Sequence, residues 1–114
     1  MITFITHMRV APENAAAMDA ILAEMSAKVA QTEPGVAYYS FARDAADPDA
    51  YVVIEVYRDA AAFEAHGRTE HIKALLPKSA VLVEGGRFDI RQYVSPGTAP
   101  VRPAPGADGV RSRS

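Results

Sequence analysis

The chain has no cysteine. That excludes disulfides and thiolate metal sites, and nothing in it points to an oxidising compartment. It also lacks a long apolar run. No stretch approaches the roughly 20 residues that span a bilayer, and the opening MITFITHMRV has neither a basic n-region nor a long apolar h-region. No membrane partner is expected, and a cytoplasmic location is the default. Basic charge is short as well. Residues 1–93 carry nine Lys/Arg against thirteen Asp/Glu, which leaves no basic face to neutralise phosphates, so nucleic acid is not an expected partner. There is no glycine-rich phosphate loop, since Gly85-Gly86 reads as a turn, and no Ser/His/Asp triad is suggested. Histidine occurs only three times, at 7, 66 and 71. His66 and His71 are spaced i, i+5 across Gly67 and share no helical face, so no metal site is expected.

What is present is periodic. Residues 2–10 alternate, with Ile2, Phe4, Thr6, Met8 and Val10 on one side and Thr3, Ile5, His7 and Arg9 on the other, the signature of a strand. Pro12 suits a first helical turn, where its missing N–H would be unpaired anyway. Met18, Ile21, Leu22, Met25 and Val29 then form one apolar stripe, predicting a helix over residues 12–32. Glu33-Pro34-Gly35 ends it. VAYYSFAR (36–43) and YVVIEVYR (51–58) read as strands joined by a short polar turn, hence as an antiparallel hairpin. Asp59 is a candidate N-cap for a second helix, AAAFEAHG, broken by Gly67. Thr69 caps a short third piece that Pro77 is expected to stop. GRFDIRQY (86–93) gives a fourth strand.

The order β-α-β-β-α-β is that of the ferredoxin-like folds. The expected class is α+β, a four-stranded antiparallel sheet with its helices on one face. The strands carry apolar or aromatic residues on both sides: Phe4 and Ile5, Tyr38 and Tyr39, Ile54 and Tyr57. One chain's helices cover one side only, so a second copy is expected over the other. Two segments are predicted: a domain over 1–93 and a disordered tail over 94–114, rich in Pro and Gly and with few aliphatics to offset its ordering entropy.

Several stretches together resemble the antibiotic biosynthesis monooxygenases, in particular their quinol-monooxygenase-like branch. They are MITFITHMRVAPEN, EPGVAYYSFARDAADPDAYVVIEVYRDAAAFEAH and TEHIKAL, with the most specific block running from Glu33 to His71. The resemblance implies a dimeric α+β barrel with a pocket between sheet and helices. It implies oxidation of a small aromatic, quinol or polyketide-like substrate by O₂ without metal, flavin or haem. A base would deprotonate a phenolic substrate, the anion would pass an electron to O₂, and an apolar cavity would exclude water. Many members have Trp where Tyr57 stands. Haem-degrading relatives use an Asn, a Trp and a His where this chain has His7, His66 and, nearby, Leu75, which argues against haem degradation.

The candidate catalytic residues are His71, His7 and His66, since histidine is best poised for proton transfer near neutral pH. His7 reaches the pocket only if its face turns toward the helices. The candidate substrate-binding residues are Tyr39, Tyr57, Phe63 and Glu55. Glu55 sits in an apolar strand and needs a partner, for which Arg87 or Arg91 are candidates. Phe88 is expected in the core or the cavity wall. A cofactor-free isomerase, or a non-enzymatic ligand-binding or stress protein, could use the same scaffold, because fold alone does not fix function. An enzyme reading expects an apolar cavity of about 300 Å³ or more holding His7 or His71.

Overall fold

The computed structural model describes residues 1–97 and 99–101, and the backbone of 110–113. β1 (Ile2–Arg9) leads through a 3₁₀ turn at Pro12–Asn14 into α1 (Ala15–Thr32); then come β2 (Val36–Arg43), β3 (Ala50–Tyr57), α2 (Ala60–Gly67), α3 (Glu70–Ala80) and β4 (Phe88–Val94). The βαββαβ order and the α+β ferredoxin-like class are as expected. The sheet runs β2-β3-β1-β4, all antiparallel. Val110–Arg113 lies beside β4 in parallel as a fifth strand, β5. Of the expected tail over 94–114, residues 98, 102–109 and 114 lie outside the described residues. Within it, Val101 packs against the Ile2–Phe4–Tyr57 cluster.

Register decides what faces the helices. Phe4 pairs with Glu55 on one side and Gln92 on the other, and Glu55 pairs with Tyr39. Successive side chains alternate faces. Ile2, Phe4, Thr6 and Met8 therefore share the helix side with Tyr51, Val53, Glu55 and Tyr57, and with Tyr39 and Phe41. Met18, Leu22, Met25 and Val29, the stripe read from the sequence, are the buried face of α1. Met18 and Leu22 close the core with Met8, Tyr51, Val53, Val83 and Phe88, and Met25 and Val29 pack with Leu75 of α3. The far side carries Ile5, Val52, Ile54 and Val56, all half-buried, and Tyr38 and Tyr93, about half exposed at 53% and 49%.

Two local expectations change. Pro77 does not stop α3, which continues to Ala80. Proline forfeits one helical hydrogen bond. The turn after it is held because Leu75 and Ser79 are buried and the Ser79 hydroxyl donates to the Leu76 carbonyl at 2.8 Å. Val81–Val83 finds its place too: Val83 is buried and bridges Val10 across the end of the sheet.

Candidate functional site

The site is made at a corner between two helices. α2 begins at Asp59, whose carboxylate accepts from the Ala62 N–H at 2.8 Å, and ends at Gly67. Two residues later Thr69 starts α3. Its hydroxyl donates to the His66 carbonyl at 2.8 Å and accepts from the Ile72 N–H at 3.3 Å. Thr69 therefore ties the end of one helix to the start of the next. Around that corner His66 and His71 turn toward each other, with ring centroids 6.1 Å apart. The two histidines share no helical face, as expected, but the corner between α2 and α3 brings their rings together all the same.

Glu33 joins them from the C-terminal end of α1. Its carboxylate oxygens lie 3.0 Å from His66 Nδ1, and one of them lies 2.5 Å from His71 Nε2. All three side chains are nearly sealed from solvent, at 8% exposure for Glu33, 5% for His66 and 11% for His71. Gly35 makes the approach feasible. A Cβ there would lie 2.7 Å from the Ala62 Cβ, so only glycine lets α2 settle on the turn carrying Glu33. Arg58 secures the same turn, its Nε donating to the Pro34 carbonyl at 3.1 Å and its N–H to the Gly35 carbonyl at 2.9 Å.

Behind the histidines lies β3. The Tyr57 hydroxyl donates to Glu55 Oε1 at 2.5 Å, and the same oxygen is 3.9 Å from His66 Nε2. Tyr57 and His66 serve Glu55, in place of the expected arginines of β4. Burial, more than the attraction of His66 and the Tyr57 hydrogen bond can offset, raises the Glu55 carboxyl above the usual range; the nearby Glu33 adds to the rise. Burial and the two carboxylates likewise raise the phenols of Tyr39 and Tyr57. Tyr39 and Tyr57 each lie 5.7 Å from the His66 ring, centroid to centroid. Phe63 stacks on Phe4 at 4.6 Å and meets Tyr57 edge-on at 5.3 Å.

Of the residues singled out in the sequence, His66, His71, Glu55, Tyr57 and Tyr39 come together, with Phe63 beside them. His7 does not join them. It sits between Thr6 and Met8, on the sheet face turned away from the helices, exposed and opposite Val52 and Asp89. It lines an open depression of about 410 Å³ with Arg9, Glu84 and Arg87. The sheet–helix cavity itself is about 60 Å³, lined by Phe4, Thr6, Glu55, Phe63 and Ile90. It is far below the expected 300 Å³, and no histidine lines it.

Glu33 was missed as a site residue and read only as part of a helix stop. A signal was there. An acidic residue at a helix C-terminus opposes the helix dipole, and a sequence that breaks a local rule is a place to look for function. His66, also in a last turn, obeys that rule. Among the described residues, Glu33, His66 and His71 are the one group whose ligand-capable atoms cluster, all within 4.8 Å of one another. No described helix is long and apolar enough to cross a membrane.

Comparison with known proteins gives the wider frame. No curated protein matches the chain. Solved structures do. One from Caulobacter crescentus, named for the antibiotic biosynthesis monooxygenases, is 27% identical with a TM-score of 0.76, covering 81% of this chain and 86% of its own. A second structure named antibiotic biosynthesis monooxygenase is 25% identical, with a TM-score of 0.75 and coverage of 83% and 98%. A Pseudomonas aeruginosa protein is 29% identical, with a TM-score of 0.71 and coverage of 82% and 92%. The sequence profile of the family described as antibiotic biosynthesis monooxygenase matches residues 1–78, the span that holds Glu33, Glu55, His66 and His71, and the chain belongs to that family.

Proposed function

We propose that the chain is a monooxygenase that oxidises a small aromatic or quinol-type substrate with O₂ and without an organic cofactor. The observation that carries the reading is the buried Glu33 carboxylate held between two imidazoles, 3.0 Å and 2.5 Å away. Such a group accepts a proton from a phenol and passes it on between fixed positions. His71 is the reading's base, with Glu33 orienting it. His66 links the pair to Glu55 and Tyr57. Phe4 and Phe63 supply an aromatic wall against which a flat ring can stack. The chemistry balances without a further reductant: a quinol or an anthrone gives up four electrons to O₂, one oxygen atom enters the carbon skeleton, and the other leaves as water.

The 60 Å³ cavity does not admit an aromatic ring as it stands. The reading therefore requires Phe63, half-buried on the eight-residue α2, to swing out when substrate enters. That same small volume favours a second reading, in which the cluster only clamps three helices and the protein is not an enzyme. Oxygen uptake with a panel of hydroquinones and anthrones, in chelated buffer, separates the two. The oxygenase reading expects turnover above the uncatalysed rate that falls at least tenfold in His71→Ala and is unchanged in His7→Ala. No turnover above the uncatalysed rate would leave the clamp, and turnover indifferent to His71 would remove this cluster from the chemistry.

A homodimer is part of the proposal. The half-buried Ile5, Val52, Ile54 and Val56, with the exposed Tyr38 and Tyr93, form an apolar sheet face that a second copy would cover. Light scattering at micromolar concentration tests it, and a monomer mass would remove it.

A further inference from the structure

We propose that Glu33, His66 and His71 form a binding site for one divalent transition-metal ion of the zinc class. The donor set comes from three separate elements: the end of α1, the last turn of α2 and the first turn of α3. Two imidazoles and a carboxylate are the ligands that zinc, cobalt, nickel and ferrous iron take, while calcium and magnesium prefer all-oxygen sites. Three protein ligands leave a fourth position open, as in catalytic rather than structural zinc sites.

The geometry needs little adjustment. Ligand atoms about 2.05 Å from a tetrahedral ion lie roughly 3.3 Å from one another. The contacts present are 3.0 Å from Glu33 to His66 Nδ1 and 2.5 Å from Glu33 to His71 Nε2. Opening them by less than about 1 Å, and bringing the two imidazole nitrogens, which lie within 4.8 Å of each other, to about 3.3 Å, makes room. The frame holds the ligands in place while that happens, because Thr69 pins the corner between the two histidines.

A second observation points the same way. A metal-bound imidazole usually presents its other nitrogen to a carboxylate, which fixes the tautomer and the ring plane. If His66 binds through Nδ1, its Nε2 faces Glu55 Oε1 at 3.9 Å, and Glu55 is itself held by the Tyr57 hydroxyl. Glu55 thus stands where the outer carboxylate of a metal-bound histidine would stand. The ion and the protons shared by the cluster are alternative occupants. With the ion bound, the single acceptor lone pair of the neutral His71 imidazole is taken, so zinc inhibits any turnover that uses His71 as its base.

The test needs no turnover. Metal-free full-length protein is titrated with Zn²⁺ while the imidazole nitrogens are followed by two-dimensional ¹H–¹⁵N NMR. Co²⁺ is titrated in parallel and its visible d–d absorption recorded. One ion per chain is expected, with His66 and His71 resonances moving together and His7 unmoved. Glu33→Gln should abolish the cobalt spectrum, and Glu55→Gln, which removes only the outer carboxylate, should weaken affinity about tenfold. Unmoved His66 and His71 resonances at millimolar Zn²⁺, a response centred on His7, or wild-type affinity in Glu33→Gln would overturn the proposal. Because the first two readouts use the wild-type chain, a variant that fails to fold does not rescue it. Metal binding without oxygen uptake would sink the oxygenase reading alone, and oxygen uptake without metal binding would sink this one alone.

Discussion

Glu55→Gln is expected to make the protein more stable at neutral pH, and to do so in a pH-dependent way. The Glu55 side chain is 17% exposed, and burial lifts its carboxyl above the usual carboxyl range. The sign follows directly. Between the unfolded and the raised folded value, the folded chain retains a proton that the unfolded chain has lost. Stability therefore falls as pH rises through that window, with a slope of at most about 1.4 kcal/mol per pH unit for one proton. Below the window both states are protonated and Glu55 contributes no penalty. Above it the full cost of a buried carboxylate applies.

Glutamine has the same shape and keeps an acceptor oxygen for the Tyr57 hydroxyl, so the variant lacks the penalty and little else. The assay is urea denaturation of both proteins in chelated buffer at half-unit steps from pH 4 to 8. The unfolding free energy of the variant minus that of the wild type should be near zero at the acid end. It should climb through the window in favour of glutamine and then level off. A difference that stays flat across the range, or that turns against glutamine as pH rises, would refute the assignment of Glu55 as a carboxyl made costly by burial.

Three further outcomes are expected. Gly35→Ala should lower stability by about 1–3 kcal/mol, since its Cβ overlaps that of Ala62; in urea melts Ala62→Gly should restore much of the loss, less about 1 kcal/mol for a helical glycine. Tyr51→Phe should cost about 1–1.5 kcal/mol by removing the 2.6 Å hydrogen bond to Asp19. In the wild type that phenol, pushed up to about 12 by burial and then by Asp19, should titrate as a late ultraviolet step that the variant lacks. Phe63→Ala should cost about 3 kcal/mol and enlarge the cavity between Phe4 and Glu55. Naphthol fluorescence should then show tighter binding than in the wild type, whose Phe63 must first swing out, and unchanged fluorescence would place the ring elsewhere.

Most of the fold was legible because it rests on periodicity. The alternation of residues 2–10 and the 18-21-22-25-29 stripe are long enough to specify one buried face each, and the structure buries those faces. Pro77 was misread because local propensity was judged without packing. The lost hydrogen bond is offset by what lies beyond the proline, where Ser79 and Val83 are buried. Side-chain alternation likewise placed His7 and Phe4 on opposite faces. It could not say which of the two the helices cover, and that is what removed His7 from the group around Glu33.

The site was legible by residue type and not by assembly. His66, His71, Glu55 and Tyr57 were each singled out, but their convergence depends on a helix corner at Arg68-Thr69 and on Gly35, far upstream of it. Neither is a periodic feature, so neither could be weighed from spacing. The missing member, Glu33, announces itself differently. It places a negative charge at the negative end of α1, costs the helix stability there, and recovers it only by reaching two imidazoles on other helices. The open choice is between a proton and a metal ion as the occupant of that position, and the wild-type imidazole resonances report on it directly.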